Sequence, residues 1–178
     1  QYMNRMSHIL TEARHIARAA VLYQAEAEWS GAEFDYSESV GKVLYDNQMD
    51  YDIVPIDALK DAISESGKLK INQAEYDCFI VPHSTALPIR LIKRLYELSQ
   101  SGVNVVYADA YPEHSSEGVS INEYIQGSEN LSVVKTENIA EYMQSNGFVD
   151  VLCEGKTDVN RFLRVFHGER NGNDIYML

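Results

Sequence analysis

The sequence predicts an α/β fold, a three-layer sandwich on a mostly parallel sheet with a β-hairpin at its C-terminal end. Three observations predict it. Short, continuously apolar runs recur at 18–23 (RAAVLY), 78–82 (CFIVP) and 103–108 (VNVVYA), as strands covered on both faces require. Between them lie stretches with helical spacing of apolar residues, at 35–48 and 88–101. The connections are short, as strand–helix–strand crossovers allow.

The elements follow in order. Residues 2–16 read as a helix with Met3, Met6, Ile9, Leu10 and Ala13 on one stripe. Residues 18–23 are the first strand, and AEAEWSG (25–31) reads as the loop at its C-terminal end. The helix at 35–48 turns Val40, Val43 and Leu44 inward, with Asp35 or Ser37 as its cap. After the second strand (51–55), Asp57 caps a short helix carrying Leu59, Ala62 and Ile63, which Gly67 ends. Residues 68–74 form a short edge strand and 76–81 the third core strand, which Pro82 breaks. Pro88 opens the next helix, where its missing N–H has no partner to lose, and Gly102 closes it. A fourth strand at 103–108, a short helix at 121–125, a fifth strand at 131–134 and a helix at 136–145 complete the sheet. This alternation points to a flavodoxin-like arrangement. The tail RFLRVFHGERNGNDIYML differs: two alternating runs flank a turn-rich GERNGN, which predicts a β-hairpin. The division expected is an N-terminal linking helix (1–16), an α/β domain (17–150) and a hairpin opening a further β-domain (151–178).

Composition bounds the function. The chain has 178 residues, 45% of them hydrophobic, and a net charge of -12. That size suits one domain with a real core. The charge repels phosphate backbones and anionic lipid, so neither nucleic acid nor membrane is expected as a partner. No apolar run reaches the roughly 20 residues that cross a bilayer, which predicts a soluble chain. Cys78 and Cys153 both sit among strand-like apolar residues and read as small buried thiols. The chain opens on Gln1 without a signal-peptide pattern and stops on the apolar run IYML. Both ends read as cut from a longer polypeptide, which leaves the compartment, cytoplasmic or exported, unassigned.

A parallel sheet carries its ligands outside the carboxyl ends of the strands. There the sequence places Glu26, Glu28 and Trp29 after the first strand, His83 and Ser84 after the third, and Asp109 and Tyr111 after the fourth. These are the candidate binding or interface residues. The glycine-rich phosphate cradle is absent, since the first loop holds only Gly31, so no nucleotide or flavin cofactor is expected. No GxSxG elbow occurs and no cysteine stands at a sharp strand-to-helix turn, so no catalytic residue is assigned. Glu26 and Glu28 are the right residue type for a glycosidase pair, but neighbouring loop carboxylates lack the rigid separation that chemistry needs. The histidines at 8, 15, 83, 114 and 167 show no metal-binding spacing, and no metal is expected. His8 and His15, one heptad apart on the first helix, read as surface or interface positions.

The order YMNRMSHILTEARHIA, RAAVLYQAEAEWSG, DYDIVPIDAL, YDCFIVPHSTALP and SGVNVVYADAYPE resembles the α/β domain that follows the catalytic barrel in large bacterial glycoside hydrolases. These are the beta-galactosidase trimerisation and alpha-L-rhamnosidase-like groups, whose domain shares the class I glutamine amidotransferase-like fold. RFLRVFHGERNGNDIYML resembles the start of the β-sandwich that follows it. The resemblance implies a non-catalytic accessory domain. Its partners would be the preceding barrel, the following β-sandwich, a further copy in a homo-oligomer, and carbohydrate. The acid and nucleophile of such enzymes lie in the barrel, so none carries over here, and the amidotransferase cysteine has no counterpart. Two other readings stand beside it: a small-molecule hydrolase or amidotransferase-like enzyme using Ser84 or Cys78 with His83, and a carbohydrate-binding module using Trp29.

Overall fold

The computed structural model describes residues 2–152 and 163–177. The elements run α1 (Tyr2–Leu10), β1 (Arg14–His15), β2 (Ala19–Leu22), α2 (Ala25–Ser30), α3 (Ser37–Asp46), β3 (Tyr51–Val54), β4 (Ile63–Glu65), β5 (Lys68–Ile71), β6 (Ala74–Tyr76), β7 (Cys78–Val81), β8 (Ala86–Leu87), α4 (Ile89–Gln100), β9 (Asn104–Ala108), β10 (His114–Ser115), β11 (Leu131–Val134), α5 (Ile139–Ser145), β12 (Phe166–Arg170) and β13 (Asn173–Met177). Short 3-10 turns lie at Ile56–Leu59, Asn122–Tyr124 and Thr136–Asn138.

The middle layer is a five-stranded parallel sheet in the order β3-β2-β7-β9-β11. Numbered along the chain, these strands stand 2-1-3-4-5, a doubly wound order. The central strands are apolar on both faces because both faces are covered: all four residues of β2 and of β7 are buried. Alternate residues feed opposite layers. Ala19, Val21, Cys78, Ile80 and Val106 pack with Val40 and Leu44 of α3 and Met143 of α5. Ala20, Leu22, Phe79, Val81 and Tyr107 pack with Leu91, Ile92 and Leu95 of α4. The edge strands β3 and β11 are only half-buried, and both contain polar residues.

Several local expectations are corrected. The first helix ends at Leu10, and Arg14–His15 becomes a strand paired antiparallel with β12. Met3, assigned to its apolar stripe, is 74% exposed. AEAEWS is helical rather than a loop, and Gly31 ends it in the left-handed conformation at φ 73°. Tyr36 takes the cap position of α3, while Ser37 Oγ donates to Leu22 O at 2.8 Å instead. No helix runs from Asp57 to Gly67. A 3-10 turn is followed by the antiparallel sheet β4-β5-β6, and Ser66 and Gly67, at φ 53° and 80°, form its first turn. Tyr76 belongs to this small sheet and not to the third core strand. The region 121–125 is a 3-10 turn.

The C-terminal hairpin forms as expected, β12 pairing β13 around Asn171 and Gly172, at φ 54° and 76°. With β1 it makes a three-stranded antiparallel sheet. Cys153 and the start of the tail run, Arg161 and Phe162, lie outside the described residues. Among the described residues, no helix is long and apolar enough to cross a membrane.

Candidate functional site

The crevice to inspect lies between the carboxyl ends of β2 and β7, where consecutive crossovers leave for opposite faces. The segments that follow these strands bond to each other across it. Gln24, buried, donates from Nε2 to Pro82 O at 2.5 Å and to His83 O at 3.3 Å. Asp35 N donates to His83 O and Thr85 N to Glu33 O, each at 2.9 Å, and Phe34 bridges Ser84. Further out, β8 pairs with β10, and Glu113 N donates to Thr85 O at 2.9 Å. Backbone groups that a ligand would otherwise meet are thus satisfied within the chain.

The sequence-predicted residues all reach this edge, but in structural roles or at the surface. Ser84 is buried, and its Oγ donates to Ala86 O at 2.7 Å. His83 is half-buried and its Nδ1 lacks a partner among the described residues, as do the buried Gln24 Oε1 and Tyr107 Oη. Asp109 sits at φ 62° and accepts from Thr136 N at 3.0 Å and Thr136 Oγ1 at 2.5 Å. Partial burial works to raise its pKa, and the two Thr136 bonds outweigh that, leaving it below its ordinary value. Tyr111 meets Tyr107 edge to face at 5.1 Å. On α2, Ala27 points into the core, Glu26 lies 3.4 Å from Arg90, and Glu28 and Trp29 face outward, Trp29 at 80% exposure. No nucleophile–base couple is assembled here among the described residues. Cys78 opens β7 at the opposite end from His83, is fully buried against Met143 Sδ, and burial pushes its thiol pKa up. The structure therefore does not join Cys78 or Ser84 to a base.

The opposite, amino edge holds the dense charge network that the sequence reading missed. His15 lies between Asp50 Oδ2 at 2.6 Å and Asp52 Oδ1 at 3.1 Å, and Tyr76 Oη donates to Asp52 Oδ2 at 2.9 Å. Bonds to Asp50 and Asp52 push the His15 pKa up to about 10, against the opposing effect of partial burial. His167 lies between Asp150 at 2.9 Å and Asp174 at 3.0 Å, with Tyr176 stacked on its ring. Arg18 bridges Asp77 and Asp150, and Lys68 lies 3.1 Å from Asp77. Around this network runs a cavity of about 270 Å³. Its cations are matched by carboxylates, so it offers no free charge to an anion. Among the described residues no group of histidine, cysteine and carboxylate side chains is placed to hold a metal. One signal was present in the sequence: Asp50 and Asp77 each stand immediately before a core strand.

No family model matches the chain, and no curated protein matches it in sequence. Solved structures do. An exo-carrageenase GH42 from Bacteroides ovatus matches at a TM-score of 0.51 and 13% identity, over 83% of this chain and 19% of that one. A GH42 beta-galactosidase from G. stearothermophilus matches at 0.46 and 16%, over 72% of this chain and 18% of that one. A beta-galactosidase from Bifidobacterium adolescentis matches at 0.43 and 14%, over 92% and 90%. The chain thus spans less than a fifth of the first two proteins. The exo-carrageenase likeness shows a shared fold: a mixed α/β sandwich of the kind found within a glycoside hydrolase.

Proposed function

We infer that this chain is a non-catalytic accessory domain of a multi-domain glycoside hydrolase, supporting a catalytic barrel or the assembly of subunits. One observation carries this reading. The edge where such a fold keeps its chemistry is laced by its own backbone, and the Ser84 hydroxyl proton is directed at Ala86 O. The fold it shares with a segment of a GH42 exo-carrageenase supports the choice of parent. On this reading residues 1–16 lead in from a barrel and the β12–β13 hairpin leads on to a β-sandwich.

The test is an assay of the isolated chain against galactosides and carrageenan fragments, alongside the longer polypeptide encoded by its gene. The expected result is no turnover by the chain and turnover by the longer protein, with a barrel encoded upstream. Hydrolysis by the chain alone, abolished in Ser84→Ala, would establish the hydrolase reading instead. Trp29 is the only tryptophan, so its fluorescence also reads out sugar binding. Saturable quenching lost on His83→Ala would place a sugar in the crevice and favour the carbohydrate-binding reading over a purely structural role.

A further inference from the structure

Helix α2 forms a ridge at the carboxyl edge of the sheet. On the β3 side of that ridge lies a second depression, which shares Gln24 with the crevice between β2 and β7. It is a cleft of about 190 Å³, lined among others by Tyr23, Gln24, Glu28, Tyr36, Glu38 and Ile53. Small-molecule pockets commonly run to roughly 300–1,000 Å³, so this volume suits one ring and not a chain of them. Its apolar walls face water: Tyr23 is 51% exposed, Tyr36 58% and Ile53 49%. Both tyrosines stand on fixed backbone. Tyr23 N donates to Val54 O at 2.9 Å, and Tyr36 caps α3 with its ring braced edge to face by Phe34 at 5.0 Å.

The polar lining narrows what the cleft can take. Glu28 and Glu38 are exposed and form no ion pair among the described residues, so an anion is repelled. A simple cation is held only weakly by carboxylates in water, so selective attraction has to come from the rings. A wholly apolar ligand would cover the carboxylates without giving them partners. An uncharged polyhydroxyl ring meets each condition. Its C–H face lies on a tyrosine ring, and its hydroxyls donate to the carboxylates while accepting from tyrosine hydroxyls.

Gln24 points the same way. It is 4% exposed, its Nε2 is spent toward β7 on Pro82 O and His83 O, and its Oε1 has no partner among the described residues. The order β3-β2-β7 puts the cleft on the other side of β2 from those carbonyls, the side left to that oxygen. A buried acceptor without a donor is a standing cost, which a hydroxyl proton removes.

We propose that this cleft binds an uncharged saccharide, one pyranose unit seated between Tyr23 and Tyr36 with its hydroxyls on Glu28 and Glu38. The site goes beyond the accessory role inferred above: it gives the domain a ligand of its own and requires no catalysis.

The test is a titration of the isotope-labelled full chain with neutral methyl pyranosides, read by amide chemical shifts. The probes are the β-galactoside, β-glucoside, α-mannoside, β-xyloside and α-L-rhamnoside. At least one should give saturable shifts centred on Tyr23, Glu28, Tyr36 and Glu38, with a Kd on the order of 1–10 mM for so open a site. Tyr36→Ala should weaken binding at least about 10-fold and Glu28→Gln at least about 3-fold, with circular dichroism unchanged. His83→Ala should leave it as it is. Absence of a saturable shift with every probe up to about 100 mM overturns the proposal. So does binding indifferent to Tyr36→Ala, or galacturonate or tetramethylammonium binding as tightly as the best neutral sugar. Shifts centred on residues 83–85 and lost in His83→Ala would put the sugar in the crevice and overturn it equally. Turnover by the chain would remove the accessory reading without altering any of these outcomes.

Discussion

The two edges of the parallel sheet are built from different forces. The carboxyl edge is tied mainly by backbone hydrogen bonds between loops, through Gln24, Asp35 and Thr85. The amino edge is tied by charge: two histidines each set between two aspartates, with Arg18 linking Asp77 to Asp150. A dense set of titratable groups is often read as chemistry, yet here it lies on the edge that the fold does not use for ligands. Its members come from distant parts of the chain, which is what a clasp requires. The raised His15 and the lowered Asp52 owe their shifts to each other and to Asp50 and Tyr76, contacts that tie β1 to β3 and β6.

The largest expected effect is at the clasp. Asp150→Ala removes a carboxylate shared by the half-buried Arg18 and the buried His167, leaving Arg18 with Asp77 alone and His167 with Asp174 alone. We expect a loss of about 3 kcal/mol in denaturant unfolding. Hydrogen exchange should show the 166–177 hairpin opening before the parallel sheet. Equal exposure of both would mean that the two regions form one cooperative unit.

Gln24→Ala probes the other edge. It removes the donor to Pro82 O and His83 O, and should cost about 1–2 kcal/mol without loosening the hairpin. A loss as large as that of Asp150→Ala would erase the contrast between the edges.

The pH profile sharpens it further. His15 is raised from 6.5 to about 10 in the folded chain, so its contribution is complete below about pH 6.5. It fades as pH climbs toward 10, because the unfolded chain gives up that proton first. Unfolding midpoints should therefore decline between pH 6.5 and 10, by an amount equivalent to about 1 kcal/mol once solvent screening of these partly exposed groups is included. His15→Gln should flatten this limb. Asp52 is shifted downward through its bond to His15, so its share is present at neutral pH and lost on acidification. An unchanged alkaline limb in His15→Gln would assign the decline to another group.

The smallest effect is at the surface. Trp29→Ala should alter monomer stability by less than about 0.5 kcal/mol, since its ring touches solvent. A larger loss would show that the ridge belongs to the core.

The parallel sheet was legible because burial on both faces leaves an unbroken apolar run, as in AAVL and CFIV. The small sheet was not, although ISESGKLKI alternates around a Ser-Gly turn. The alternation is short, and Asp57 with Gly67 imitates helix punctuation. AEAEWS was read as a loop because one and a half turns give too little periodicity to recognise. Glu26, Glu28, Trp29, His83, Ser84, Asp109 and Tyr111 were placed on the right edge, because each follows a core strand in sequence. What they do there depends on hydrogen bonds between separate loops, which no local pattern encodes. His15 was assigned to a helical surface for the same reason: Asp50 and Asp52 are 35 and 37 residues away.

The antiparallel pairing of Arg14 with Glu169 and of His15 with Gly168 has an architectural corollary. Strand β12 closes the chain back on β1, and Arg14 and Glu169 hold together segments 155 residues apart. Loosening that one pairing would therefore free α1 and the β12–β13 hairpin together, so the two termini of the described chain are held by a common knot.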